Sequence, residues 1–333
     1  MAAQIEIIAE AAEGYGGDYA KESALIDAAA AAGVDAIKFH VIHTEEFCTD
    51  DYEHVEQVRA LEIPDERWIA AGARAHAHGL LMLFDVFGPR GLRIAAAAAA
   101  DGVKIHASDA LNHRFVAQVA AAGFGRVYLA TGGLTVAELR PLVELLSGQD
   151  VTLVHGIQSY PTAHEDNCLA RLALFAGLFA NAALGFADHT GSDDPARMWL
   201  SAAAVGAGAT TIEKHLTLVV AARDPDHQSA LNADDLKVFA TNMRHAAAAM
   251  GVAPRGEDEL GMPQAEREYR SRSRRQLVAV SDLAGGTTLA LDHLAFKRVH
   301  PVPGVLTDPR DAIGRRLRAD LRRDEPLTTE ALA

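Results

Sequence analysis

Strand-like and helix-like segments alternate through the first ~250 residues, at intervals of roughly 25 to 35 residues. Such alternation predicts βα units around a parallel sheet. Eight segments have the apolar composition of buried strands, and eight strands close a barrel. We therefore predict a (β/α)₈ TIM barrel with strands near Gln4–Glu10, Ala36–Val41, Leu80–Val86, Gly102–His106, Arg126–Thr131, Val151–His155, Ala183–Ala187 and Thr210–Lys214.

The segments between these strands carry helical periodicity or strong helix formers, and Gly33, Gly79 and Gly251 stand where C-terminal caps belong. An open doubly wound sheet is the alternative, but it would need a Gly-rich phosphate loop after its first strand. The candidate, Gly14-Tyr15-Gly16-Gly17, lacks the GxGxxG spacing. We predict helices over Tyr19–Ala32, Asp65–His78, Arg90–Ala100, Arg114–Ala122, Val136–Leu146, Asn167–Ala180, Asp194–Gly206 and Ala233–Met250.

A second, small and mostly β domain is predicted at the end of the chain. From Gly256 to Arg275 the periodicity gives way to charged residues, which indicates a linker over 256–275. Two short strands are expected over Gln276–Val280 and Leu294–Arg298, with a turn at Ala284-Gly285-Gly286 between them. The predicted domains are thus a barrel over 1–255 and a small domain over 276–333.

Charge and composition restrict the classes of function. The 333 residues carry a net charge of −14, so no basic face is expected to bind nucleic acid. Neither an 18-residue apolar span nor a secretory leader is evident, so we expect no membrane association and a cytoplasmic location. The two cysteines, Cys48 and Cys168, form no CxxC motif and fit a reducing compartment.

Polar side chains are concentrated where the predicted strands end, which is where the chemistry of such barrels takes place. Side chains alternate along a strand, so Lys38 and His40 should share a direction, as should Lys104 and His106. Two cationic groups would then converge on one cavity, where desolvation could lower their pKa values and an anionic ligand would favour their charged forms. The candidates are Glu10, Lys38, His40, Asp85, Lys104, His106, Asp109, Gln158, Tyr160, Asp188, His189, Glu213 and His215.

His189 and His215 end two successive predicted strands, with Asp188 and Glu213 beside them. Taken singly, each histidine is more often a buried, hydrogen-bonded core residue. Together at one rim they predict a site for a divalent metal ion. Two imidazoles leave most coordination positions open for water and substrate, as in a Lewis-acid catalyst and unlike a closed structural site.

The ordered motifs resemble those of the N-acetylneuraminate (sialic acid) synthase family over the whole chain. The C-terminal part, from Arg274-Arg275-Gln276-Leu277 to Asp324-Glu325-Pro326-Leu327-Thr328, resembles the antifreeze-like (SAF) domain that ends those enzymes. The barrel motifs are Ile8-Ala9-Glu10, Ala36-Ile37-Lys38-Phe39, Lys104-Ile105, Thr131-Gly132, Ser159-Tyr160-Pro161-Thr162, Asp188-His189-Thr190, Ile212-Glu213-Lys214-His215 and Asp224-Pro225-Asp226-His227.

The resemblance implies a transferase that condenses phosphoenolpyruvate with the aldehyde of an open-chain hexosamine to give a nonulosonic acid. His189 and His215 would hold a divalent ion, Mn²⁺ foremost and Mg²⁺ or Co²⁺ otherwise, that polarises the aldehyde oxygen. The resemblance further implies a domain-swapped homodimer in which Arg298 of the SAF domain reaches the partner's barrel. The remaining roles are donor binding by Lys38, Lys104, Gln158 and Tyr160, and contacts to the sugar and the reacting water by Glu10, Glu213 and Asp226.

The chain departs from the family pattern where that pattern places hydroxyl groups. Asp85, Ala107, Ala130 and Ala187 stand at or beside positions that are usually serine or threonine. The missing hydroxyls are largely those that would hold a phosphate, and Asp85 adds a like charge near the donor. A hydrogen bond to a charged group contributes about 1.5–3 kcal/mol, so several losses would weaken binding considerably.

Two explanations remain open for these departures. In the first, His40, His43 and His106 replace the hydroxyls as ligands of the anion. In the second, the donor or acceptor has changed, and the protein uses either a keto acid without a phosphate or a substrate that carries its phosphate elsewhere. Three functions follow: a synthase of the sialic acid type, a metal-dependent aldolase or lyase with an altered donor, or a non-catalytic sugar-binding paralogue.

Overall fold

The computed structural model describes residues 5–251, 261–300 and 302–333. The chain divides between Val252 and Ala253 into two compact units. Gln4, the first residue of the first predicted strand, and the start of the predicted linker at 256–260 lie outside the described residues. Among the described residues, no helix combines the length and apolar character that a bilayer crossing requires.

Eight parallel strands close the first unit into a barrel, each hydrogen-bonded to the next and the eighth to the first. The predicted barrel is therefore confirmed. Several strands are buried along their whole length, as in Val151–His155, because helices cover the outside and side chains fill the inside. The strands are β1 Glu6–Ala12, β2 Ala36–Val41, β3 Leu81–Val86, β4 Gly102–Ile105, β5 Arg126–Ala130, β6 Val151–His155, β7 Ala183–Asp188 and β8 Thr211–His215.

Helices connect the strands, and two of them have the predicted bounds. Two short helices between β2 and β3 were not predicted, because four or six residues are too few to show a period. The segment predicted as one helix over Asp194–Gly206 is interrupted at Trp199, after a 3₁₀ turn over Pro195–Met198. The helices are α1 Tyr19–Ala32, α2 Thr44–Phe47, α3 Val55–Ala60, α4 Asp65–Ala77, α5 Pro89–Ala97, α6 His113–Ala122, α7 Val136–Leu145, α8 Ala170–Leu178, α9 Leu200–Gly206 and α10 Ala233–Met250.

Local capping explains why α1 begins and ends where the sequence predicts. The Asp18 carboxylate accepts a hydrogen bond from the Ala20 amide at 2.7 Å, which satisfies one of the free donors of the first turn. At the other end Gly33 takes a left-handed conformation with φ of 68°, and its amide donates to the Ala30 carbonyl at 3.0 Å. Both signals are local, so they act independently of tertiary packing.

Alternation along the strands separates an outer apolar core from an inner layer. Outward side chains join the helices in one large core, whereas six inward side chains form a small apolar layer inside the barrel. On the same strands, the next inward-facing side chains are polar. Glu10 lies two residues after Ile8, and Lys38 lies two residues after Ala36. The apolar layer therefore lies beneath the polar end of the barrel. Its members are Ile8, Ala36, Leu83, Tyr128, Val154 and Ala187.

The second unit contains α11 Gln264–Ser273 and an antiparallel pair of strands, β9 Gln276–Ala279 and β10 Leu294–Lys297. Isolated bridges such as Leu283 with Leu321 extend the β structure around a leucine-rich core. The predicted small β domain is confirmed. Helix α11 lies in the predicted linker and has no buried residue. The sequence therefore contains no apolar stripe that would indicate a helix there.

Candidate active site

Two lysines and three carboxylates meet inside the barrel and form what we term the charge cluster: Glu10, Lys38, Asp85, Lys104 and Glu213. The Lys38 ammonium contacts the Glu10 carboxylate and lies 3.1 Å from Asp85 and 3.4 Å from Glu213. Lys104 Nζ lies 2.7 Å from Glu213 and 3.8 Å from Asp85. All five side chains are buried. The lysines converge as predicted, but carboxylates already neutralise them.

The charge cluster shifts the pKa values of its members in different directions. Burial raises the pKa of Glu10 to about 7, although Lys38 opposes this. Burial also disfavours the ionised form of Glu213, but Lys104 and Lys38 outweigh it and lower the pKa of Glu213 to about 2. For Lys38, burial is outweighed by Asp85, Glu10 and Glu213, so its pKa is raised. The expectation that desolvation lowers the lysine pKa is wrong for Lys38, since its carboxylate partners dominate.

His40 extends the charge cluster toward the rim of the barrel. Its Nε2 lies 3.2 Å from Asp85, and its Nδ1 lies 3.5 Å from Glu13. Burial would lower the pKa of His40, but the bonds to Asp85 and Glu13 raise it to about 10. His106, whose ring centroid is 6.2 Å away, has its pKa lowered by burial to about 4. Lys38 and His40 both contact Asp85, which confirms that they share a direction.

His189 and His215 face each other at the ends of β7 and β8. Their ring centroids are 5.4 Å apart, and the Tyr160 ring lies 4.4 Å from His189 and 5.6 Å from His215. His189 Nδ1 lies 2.7 Å from the Ile157 carbonyl oxygen, which can only accept a hydrogen bond. Nδ1 therefore carries the proton, and Nε2 keeps a free lone pair. The His215 Nδ1 lies 3.8 Å from an Asp226 oxygen.

The electrostatics of this pair suit metal ligation. Burial lowers the pKa of His189 to about 4 and lowers that of His215 as well. Both rings are thus neutral at physiological pH, which is the state in which imidazole binds a metal ion. His189 Nε2 and His215 are the donors that this pair offers to a divalent ion, and Asp226 lies beside His215, but among the described residues these three do not bring their ligand atoms within 4.8 Å of one another.

A second group of possible ligands lies in the charge cluster itself. Glu10, His40 and Asp85 each offer an atom within 4.8 Å of the others. Lys38, however, places its ammonium against two of these three residues. Because a cation already balances these carboxylates, the histidine pair fits a divalent ion better.

The other predicted site residues are placed as follows. The Tyr160 hydroxyl donates to Gln158 Oε1 at 2.7 Å, beside the histidine pair. Asp109 lies in a 3₁₀ turn after β4, and burial raises its pKa. Arg298 follows β10 in the second unit and is exposed.

Asp188 does not join the charge cluster. Its buried carboxylate accepts hydrogen bonds from Ser201 Oγ and the Thr190 amide, and it lies 3.1 Å from Lys214 Nζ. Lys214 also donates to the Thr190 carbonyl at 3.0 Å, so it fixes the turn on both sides of His189. Alternation could have indicated this pair, since both residues point away from the inner face of their strands.

The fold and the site together define the class of protein to which the chain belongs. It is a (β/α)₈ barrel with buried lysines, carboxylates and neutral imidazoles at the C-terminal ends of its strands. The profile of the NeuB family matches residues 25–255, and that of the SAF domain matches residues 274–333. The chain belongs to the NeuB family and ends in a SAF domain, which confirms the resemblance found in its sequence.

Relatives match the chain over nearly its full length. The uncharacterized protein MJ1065 of Methanocaldococcus jannaschii is 29% identical over 96% of this chain and 92% of that protein. The N,N'-diacetyllegionaminic acid synthase of Legionella pneumophila is 23% identical over 95% of this chain and 91% of that enzyme. A crystal structure of a putative spore coat polysaccharide biosynthesis protein E from Chromobacterium violaceum superposes with a TM-score of 0.82 at 22% identity, covering 99% and 100% of the two chains, and shows the shared fold.

Proposed function

We propose that this protein is a metal-dependent synthase that forms a carbon–carbon bond between a three-carbon acid and an open-chain sugar aldehyde, giving a nonulosonic acid. The donor class comprises phosphoenolpyruvate and related enolpyruvyl or 2-oxo acids. The supporting observation is the placement of two neutral imidazoles, 5.4 Å apart, at the same barrel end as the buried lysines. The relationship to legionaminic acid synthases supports the sugar chemistry.

The residues of the charge cluster supply the polar chemistry of this proposal. Lys104 is the more accessible lysine, so it would bind the carboxylate of the donor, while Lys38 would hold Glu10 and Glu213 in place. Glu10 has a pKa of about 7 and can therefore both accept and release a proton near neutral pH. Asp226, beside His215, would contact the sugar or the reacting water.

His189 and His215 would hold the divalent ion, for which we propose Mn²⁺, with Mg²⁺ and Co²⁺ as alternatives. Such an ion polarises an aldehyde oxygen as a Lewis acid. The Ile157 carbonyl fixes the tautomer of His189 and so keeps Nε2 available. Tyr160 packs on both rings and, with Gln158, would border the substrate.

For the second unit we propose the role that the SAF domain has in the family. Arg298 is exposed and follows directly on β10, so its guanidinium is available to a second chain. In a homodimer it would reach the partner's barrel and bind a substrate anion there. A cytoplasmic location stays a prediction.

Incubation of the full chain with Mn²⁺, a 2-acetamido sugar aldehyde and a three-carbon donor tests the proposal. The expected product has the mass of the sugar plus pyruvic acid, with water consumed and inorganic phosphate released when phosphoenolpyruvate is the donor, and its formation should stop on addition of a chelator. His189→Ala should give no product. His164→Ala is its matched control, because this exposed histidine pairs with Asp194 and is not among the proposed ligands. Absence of a product with every donor and sugar would argue for a non-catalytic, sugar-binding protein.

A further inference from the structure

Three histidines near the ends of β2 and β4 carry ring nitrogens that can donate hydrogen bonds to an anion: His40, His43 and His106. The structure distinguishes them by what these nitrogens contact. His40 Nε2 lies 3.2 Å from Asp85, and His40 Nδ1 lies 3.5 Å from Glu13. Because each nitrogen of His40 already faces a carboxylate, the donors of this ring are engaged.

His43 faces a different cavity. Its side chain is 3% exposed and borders a cavity of about 300 Å³ together with Thr44, Arg59 and Glu62. The described residues that line this cavity include none of the charge cluster. His43 Nδ1 lies 3.9 Å from Glu62 Oε2. His43 is therefore placed beside Glu62, and a ligand of the charge cluster would not meet it there.

His106 presents an accessible donor at the rim of the barrel. Its backbone is extended, with φ of −67° and ψ of 150°, so its side chain points to the same side of β4 as Lys104. His106 Nδ1 lies 3.2 Å from the Ser108 amide nitrogen, which can only donate, and 2.8 Å from the Ser108 hydroxyl. Nδ1 is therefore the acceptor, and the neutral ring carries its proton on Nε2. Among the described residues Nε2 has no partner, and it is not buried.

Two aromatic contacts hold the His106 ring in this orientation. Its centroid lies 5.5 Å from the Phe87 ring and 6.2 Å from the His40 ring. Phe87 also packs on His40, at 5.3 Å between centroids. With Ser108 bound to Nδ1, the position of the Nε2 donor is fixed before a ligand arrives. A donor that is already in place loses little conformational entropy when it binds.

Hydroxyl groups at the neighbouring strand ends are engaged or replaced. The Thr131 hydroxyl donates to the Val154 carbonyl at 3.3 Å. Ala130 and Ala187 lie on the inner face of β5 and β7, where they offer only methyl groups. A phosphoryl group has three strongly accepting oxygens, so it needs donors of another kind here.

One phosphorylated acid can contact both His106 and Lys104. Side chains two residues apart on one face of a strand are separated by about 6.5 Å, which a three-carbon acid with a phosphoryl group can span. The Lys104 side chain is 5% exposed, and its hydrogen bond to Glu213 uses one of its three donors. In the proposed function the divalent ion, Lys104 and Arg298 supply positive charge to the mouth. His106 adds a hydrogen bond without changing that charge.

We propose that His106 binds the phosphoryl group of the donor through its Nε2–H, and that Ser108 fixes the tautomer that makes this donor available. The inference rests on the proposed function, with phosphoenolpyruvate as the donor. The carboxylate of phosphoenolpyruvate lies at Lys104, and its phosphoryl group lies at His106. His106 is a binding residue, and no proton transfer is assigned to it.

Calorimetry on the Mn²⁺-loaded full chain, with phosphoenolpyruvate and pyruvate as probes, tests this role. His106→Leu should weaken phosphoenolpyruvate binding by about tenfold or more, which is the effect of losing one hydrogen bond to a charged group. Pyruvate has no phosphoryl group and should bind equally well to both chains. His106→Gln places an amide N–H near the position of Nε2 and should recover most of the affinity. The matched control is His245→Leu, an exposed position in the second half of α10, which should change neither affinity.

Unchanged phosphoenolpyruvate binding in a folded His106→Leu variant would overturn the proposal. An equal loss for pyruvate would also overturn it, because it would indicate a general change in the shape of the site. If the variant does not fold, ¹⁵N NMR of the unmodified Mg²⁺-loaded chain decides. Saturating phosphoenolpyruvate should shift the His106 Nε2 resonance while Nδ1 stays unprotonated, and an unshifted ring would refute the contact.

The same measurements separate this inference from the proposed synthase function. Selective loss of phosphoenolpyruvate binding in His106→Leu supports the inference even if no sugar gives a product, and only the synthase function then fails. If the unmodified chain binds no phosphoenolpyruvate but forms product from a 2-oxo acid, the inference fails and the carbon–carbon bond-forming function stands.

Discussion

Lys214 Nζ lies 3.1 Å from the Asp188 carboxylate, and both side chains are fully buried between the barrel and its helices. Each residue is the chain neighbour of a histidine of the proposed metal site, His215 and His189 respectively. The ion pair therefore fixes the backbone on which the two imidazoles are carried. Residues that only position a ligand can be as important for metal affinity as the ligands themselves.

Lys214→Met should destabilise the protein by about 3–5 kcal/mol, because it leaves the Asp188 carboxylate buried without its cation. Urea unfolding monitored by circular dichroism measures this loss. The double variant Lys214→Met, Asp188→Leu removes both charges and should recover part of the stability. Equal stability of the single variant and the unmodified chain would contradict a structural role for the pair.

His189→Ala should abolish binding of Mn²⁺ and turnover while the fold remains intact. The ring contributes a neutral Nε2 lone pair that no neighbouring group replaces in the proposed site. Calorimetric titration with Mn²⁺ measures the loss, and circular dichroism checks the fold. His164→Ala should bind the ion normally, and Mn²⁺ affinity retained in His189→Ala would remove this residue from the metal site.

The ion pairs of His40 should make stability depend on pH. Its folded pKa of about 10 lies above the ordinary value of 6.5, so the stabilisation is fully present below pH 6.5 and is lost as pH rises through about 10. Between these limits the contribution of His40 to the free energy of unfolding falls by about 1.4 kcal/mol per pH unit. Urea unfolding at pH 7, 8 and 9 should show a smaller decline for His40→Gln than for the unmodified chain. Parallel declines would contradict the raised pKa.

Mixing two inactive variants tests the proposed exchange of Arg298 between subunits. Arg298→Ala and His189→Ala should each be inactive alone. In mixed dimers one barrel keeps its histidines and receives Arg298 from the partner, so random mixing should restore about a quarter of the activity. Activity assays after refolding the mixture measure this, and light scattering verifies the dimer. A dimer that regains no activity on mixing would indicate that Arg298 does not act across subunits.

Much of the site could be predicted because its signals are periodic. Alternation along β2 placed Lys38 and His40 on the same side, and the position of His189 and His215 at successive strand ends brought them together. The three carboxylates around the lysines were named as candidates. Their neutralising effect was not foreseen, since it depends on side-chain distances across five strands.

The sequence by itself determined the barrel, the small β domain and the ends of α1 and α10, because strand alternation, helical periodicity and caps such as Asp18 and Gly33 are local. Only the tertiary structure decided that Asp85 sits between Lys38 and His40 and that Asp188 is held by Lys214. Such contacts join residues far apart in the chain. Their energies depend on burial and on the distances between charges, which no local pattern encodes.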